Sequence, residues 1–180
     1  MRLFRGEQTL AASVFARMEA GMKTDKLLRE HLLQLLSGGG AHVDFDAAIK
    51  GFPPELRGVK AKDSVHSAWE LLEHLRIAQW DIVEFTQNES HVSPDFPSGY
   101  WPPSPVPPDD AAWELSIGAF REDLLEMKDL VKDESINLFK KIPHGEGQTV
   151  LREALLLADH NAYHIGEIVM LRKILGAWNT

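Results

Sequence analysis

The chain contains no cysteine in its 180 residues, which excludes disulfides, thiolate metal ligands and a thiol nucleophile. That composition suits the cytosol. No run of eighteen or more apolar residues occurs, so no segment is long enough to span a bilayer as a helix. Basic residues are outnumbered: 19 Lys and Arg face 27 Asp and Glu, for a net charge of −8. A nucleic-acid surface needs a basic stripe, so that class of partner is not expected. The glycines match neither the P-loop pattern nor the dinucleotide fingerprint. Residues 1–21 hold only a brief apolar patch, interrupted by Glu7, which makes a poor secretory signal. No internal repeat is visible, and the one low-complexity run is the proline cluster at 102–108.

What the chain does have is helical periodicity. Thr24 reads as an N-cap for DKLLREHLLQLLS, whose apolar face is Leu28, Leu32, Leu35 and Leu36 and whose end is Gly38-Gly39-Gly40. Residues 1–23 then form an N-terminal extension of undefined structure, with residues 24–180 as one domain. A short turn around Asp44–Lys50 precedes a long connection through Pro53, Pro54 and Gly58. A second helix is expected from Asp63 or Ser64 to about Asn88, and a third from Asp109 or Asp110 to about Lys132. The third carries the cleanest stripe: Trp113, Ile117, Phe120, Leu124, Met127 and Val131. The fourth runs from about Thr149 to Leu175, stopped by Gly176.

Residues 89–108 hold too many prolines for helix. Their extended reach, about 66 Å, exceeds the roughly 36 Å of a 24-residue helix, so the second and third helices can run parallel. Four amphipathic helices and no convincing strand predict an all-α four-helix bundle with long connections on both sides of the second helix. Tyr100 and Trp101, large groups in a proline-broken loop, are expected to pack over one end of it and line a pocket.

The chemistry concentrates in histidine. His160 and His164 are four residues apart, so they differ by about 40° and about 6 Å along a helix. They interrupt an apolar stripe of Leu157, Ile168, Leu171 and Leu175. His74 interrupts the stripe of the second helix in the same way, about ten residues from its start. Buried imidazoles need polar partners, which neighbouring helices or a metal ion can supply. If the second and fourth helices pack antiparallel, the three rings fall at one height and leave a fourth coordination position open. That is the form of a catalytic metal site. Glu70 lies one turn before His74 and Glu167 three residues after His164; each is either an outer partner of the histidines or a solvated flank. His31, His42 and His66 read as edge, loop and helix-end residues. A zincin would need glutamate where Asn161 stands, and a di-iron bundle would need two Glu-x-x-His pairs that the chain lacks. An all-histidine ligand set implies metal loss below about pH 6.

HSAWELLEHLRIAQWDIVEF and DHNAYHIGEIVMLRKILG together resemble the DinB-like superfamily, which includes YfiT-type metal-dependent enzymes. The likeness covers roughly residues 24–178 and is weaker through PPELRG and SGYWP. It implies an up-down-down-up bundle and a divalent ion, zinc or nickel, on His74, His160 and His164. Members of that family include transferases and isomerases that use small-molecule thiols such as mycothiol, bacillithiol or glutathione. The resemblance therefore implies a transferase activating a small thiol. It names no catalytic residue beyond the ligands. A homodimer is the expected assembly, apart from that resemblance. A metal-dependent hydrolase, a metal-binding stress or sensor module without turnover, and a dimerisation module whose histidines satisfy one another are the alternatives.

Overall fold

The computed structural model describes the backbone of residues 4–62 and 64–178, and side chains from Arg17 onward within them. Among the described residues there are five α-helices and no strand, only a single antiparallel bridge between Lys141 and Thr149. The helices are α1 (Phe4–Ser37), α2 (Phe45–Ile49), α3 (Ala68–Gln87), α4 (Asp110–Lys132) and α5 (Val150–Ile174). The protein is all-α, as its periodicity requires.

Two expected helix starts are corrected. The first helix does not begin at Thr24 but runs unbroken from Phe4. Thr24 is an interior residue whose hydroxyl donates to the Ala20 carbonyl at 2.9 Å. Alanines at 11, 12, 16 and 20 favour helix, and one glycine at position 21 costs only about 1 kcal/mol, too little to end it. The second helix starts at Ala68 rather than Asp63 or Ser64; Asp63 lies outside the described residues. Ser67 is its N-cap, in a capping box: the Ser67 hydroxyl accepts from Glu70 N, and the Glu70 carboxylate accepts from Ser67 N at 2.7 Å.

The other ends match expectation. Asp109 caps α4 by accepting from Ala112 N at 2.7 Å, and Thr149 caps α5. Gly176, at φ +69°, turns the chain out of α5 in the left-handed region that favours glycine. The short helix read at Asp44–Lys50 is α2, capped by Asp44.

α3 packs against α4 and α5, and α1 packs against α4 and α5 from the other end. One apolar cluster joins the first halves of α3 and α4 to the second half of α5, through Leu72, Leu75, Trp113, Phe120 and Ile168. α2 closes it: Phe45 stacks on Phe120 with ring centroids 3.9 Å apart. A second cluster joins the ends of α1, α3 and α4 to the start of α5, through Leu32, Leu36, Val83, Met127, Val131 and Leu157. The α4 stripe is core as expected, with Leu124 half-buried and the other five residues buried. Leu35, by contrast, lies exposed beside the apolar face of α1.

A buried arginine ties α1 to the far end of α4. The Arg29 guanidinium donates to the carbonyls of Val131 (2.7 Å), Asp133 (3.0 Å) and Ile136 (2.7 Å), and its Nε to Asp25 (2.7 Å). These include carbonyls that a helix end leaves without intrahelical donors. Arg29→Ala strands them, at an expected cost of about 2–4 kcal/mol. The measurement is a urea unfolding curve, and a midpoint equal to the wild type would show that water replaces the guanidinium without loss.

Candidate metal centre

α3 and α5 bring His74, His160 and His164 together. Nε2 of His74 lies 3.1 Å from Nε2 of His164 and 3.1 Å from Nε2 of His160. One ligand atom from each ring falls within 4.8 Å of the others, so the group could hold a metal ion. The spacing is close to the separation of nitrogens in a tetrahedral zinc site, about 3.3 Å for bonds of about 2.05 Å.

The outer ring nitrogens fix two tautomers. Nδ1 of His74 faces the Tyr100 carbonyl at 2.9 Å, an acceptor that obliges Nδ1 to carry the proton. Nδ1 of His164 donates to Glu167 Oε2 at 2.6 Å. With both protons on Nδ1, the two Nε2 atoms meet as lone pairs at 3.1 Å, which is repulsive unless a cation lies among them. His160 Nδ1 is buried and has no hydrogen-bond partner among the described residues. Burial, reinforced by the neighbouring imidazoles, lowers the pKa of His160 and of His164 to about 4. Burial lowers His74 as well, against the Tyr100 carbonyl that favours its charged form. Two inward Nε2 lone pairs, with the Nε2 of His160 3.1 Å from that of His74, form a donor set that fits a divalent ion.

The crossover between α3 and α4 reaches this site differently from the expected pocket wall. Trp101 lies flat on the His74 ring, with centroids 4.0 Å apart and planes 3° apart. His66 stacks on the opposite face of Trp101 at 3.9 Å. Tyr100 contributes its carbonyl to His74, while its hydroxyl donates to Asp81 Oδ2 at 2.7 Å. Burial and the Asp81 carboxylate push the Tyr100 phenol up to about 12. Asp81 Oδ1 accepts from His91 Nε2 at 2.8 Å.

The two glutamates differ. Glu167 touches a ring of the triad, and burial raises its pKa above the usual carboxylate range. Glu70 does not: its carboxylate is spent on the Ser67 cap and on Lys60 Nζ at 3.0 Å, so it is no partner of His74. His31 and His42 are exposed and do not belong to the three-histidine group.

Sequence reasoning missed three residues here. His66 passed as a helix end because the helix was started too early; the S-x-x-E pattern at Ser67–Glu70 would have placed it in the loop. Asp81 is the charged residue two turns after His74 and therefore on the same face, a visible signal. Asn161 is more than the missing zincin glutamate. It is buried and donates to Gln79 Oε1 at 2.8 Å, while fully buried Gln79 donates to the Phe120 carbonyl at 2.5 Å. This pair pins α5 to α3 beside the histidines.

Fold and site together define a helical protein built around a three-histidine group able to hold a metal ion. Residues 40–168 match the family profile described as the DinB superfamily, and the chain belongs to that superfamily. No curated protein and no solved structure matches the chain in the corresponding comparisons.

Proposed function

We propose that this protein is a divalent-metal-dependent enzyme whose ion, zinc or nickel, is held by Nε2 of His74, His160 and His164. The observation that carries the reading is the convergence of those three atoms, with two outer nitrogens committed to acceptors. The proposed substrate is a small-molecule thiol, and the reaction its transfer to an electrophilic cosubstrate. A bound ion with an open position supplies Lewis acidity that lowers the pKa of the thiol.

The chain's own residues supply orientation and dryness. The Tyr100 carbonyl and the Glu167 carboxylate set the direction of two rings, which would turn their lone pairs towards a bound ion. Trp101 covers one face of His74 and keeps water from it. A cleft of ≈ 530 Å³ adjoins the site, with Leu71, Met170 and Ile174 as apolar wall and His66, Lys62 and Glu167 as polar rim. Its size and mixed lining suit a small organic cosubstrate.

The scaffold we propose is the up-down-down-up bundle. Its support is the pairing of ends in the two clusters: the starts of α3 and α4 share one with the end of α5, and their ends share the other with the start of α5. That pairing fits α3 and α4 running parallel across the long crossover.

Cobalt substitution tests the thiol reading. Adding a low-molecular-weight thiol to the cobalt protein should alter the d–d bands and produce a sulfur-to-cobalt charge-transfer band. A spectrum unmoved by millimolar thiol would mean a closed site, and the transferase reading would give way to a binding module without turnover.

A further inference from the structure

We infer that Asp81 is a positioning residue of the metal centre, acting through Tyr100 on His74. Asp81 sits two turns along α3 from His74, about 10 Å along the axis and on the same face. Its side chain is buried, which is costly for a carboxylate unless its oxygens are satisfied. Both are, and neither by a lysine or arginine among the described residues. Oδ2 accepts from the Tyr100 hydroxyl at 2.7 Å, and Oδ1 accepts from His91 Nε2 at 2.8 Å. Both donors belong to the crossover, from its first residues (His91) and from its short 3₁₀ turn at Ser98–Tyr100. The carboxylate thus gathers two points of one loop onto α3.

The fixed turn then acts back on the same helix. The Tyr100 carbonyl accepts from His74 Nδ1 at 2.9 Å, and the next residue, Trp101, stacks on the His74 ring. One residue is therefore held at both ends, its hydroxyl by Asp81 and its carbonyl by His74. The turn has little freedom to relax: a Cβ on Gly99 would lie 2.8 Å from Pro94 Cβ. Releasing the Tyr100 ring should let the carbonyl drift, and His74 would then populate the other tautomer, with its proton on the nitrogen that should face the ion. Asp81 touches neither ion nor substrate. Its role is to keep the His74 lone pair aimed.

This inference rests on the metal reading for its function but not for its test. Two variants are compared with the wild type in the full chain: Tyr100→Phe, which loses only the hydroxyl, and Asp81→Asn, which loses one acceptor. In the metal-free protein at pH 8, nitrogen NMR should show wild-type His74 with a single Nδ1–H tautomer and both variants with a mixture. Zinc dissociation constants should weaken by about 10–100-fold, the range for outer partners of ligating histidines. The d–d bands of the cobalt forms should change with them. Wild-type tautomer and wild-type zinc affinity in both variants would overturn the inference, even if their melting temperatures fell, because the network would then only clamp the loop. If the wild type binds no divalent ion, the metal reading fails, and the tautomer of His74 alone decides whether Asp81 positions it.

Discussion

Metal-free protein is expected to lose stability as the pH falls from about 6.5 towards about 4. His160 and His164 titrate near 6.5 when unfolded and at about 4 when folded, because burial and mutual proximity disfavour their charged forms. Between those values the unfolded chain binds more protons than the folded one, so stability falls with falling pH. The full contribution is present above pH 6.5 and is exhausted below about pH 4. One unit is worth 1.36 kcal/mol, and after discounting for solvent screening the group should cost roughly 2–4 kcal/mol across the window. Urea midpoints measured every half unit would show it. A flat profile between pH 7 and pH 4.5 would mean that the rings are solvated and titrate as free histidine. The same depression bears on the expected metal loss below about pH 6, because it lowers the pH at which protons compete for the rings. Zinc is therefore expected to hold into the pH 5 range, and release already near pH 6 would show the rings titrating as free histidine.

Alanine at His74, His160 or His164 should have the largest effect on binding. Losing an outer partner typically weakens a metal site 10–100-fold, and losing a ligand should exceed about 100-fold. His31→Ala, on an exposed ring, is the control and should leave affinity unchanged. Glutamate variants sharpen the result. Glu167→Gln removes the carboxylate that accepts from His164 Nδ1 and should weaken zinc about tenfold, whereas Glu70→Gln disturbs only the α3 cap and the Lys60 contact. Competition titration with a chromophoric chelator measures all six. Similar losses for His31→Ala and His160→Ala would place the metal elsewhere.

The later helices were legible because local signals agreed with packing. Asp109, Thr149 and Gly176 mark their ends, and the α4 stripe from Trp113 to Val131 is core. Two starts misled for opposite reasons. Thr24-Asp25 has cap chemistry, but nothing before it breaks the helix strongly enough to need a cap. Ser64 has cap chemistry too, but the reciprocal bonds of Ser67 and Glu70 outcompete it. The three histidines could be read because a polar ring in an apolar stripe is a periodicity defect, visible without coordinates. Their surroundings could not be read so easily. The Trp101 stack, the Tyr100 carbonyl and the Asp81 latch depend on where a twenty-residue crossover returns, and its prolines fix its stiffness but not its path. Glu70 shows the converse: correct spacing from His74, with its carboxylate already taken by the nearer backbone.

X-ray absorption at the zinc edge, on protein loaded with one equivalent of zinc, tests the central claim most directly. The account predicts one tightly held ion per chain, with a first shell dominated by three imidazole nitrogens at about 2.0–2.1 Å and one further light atom. The outer-shell scattering characteristic of histidine rings should diminish in His160→Ala. A shell of carboxylate and water oxygens with no imidazole signature, or protein that retains no zinc after desalting, would contradict it.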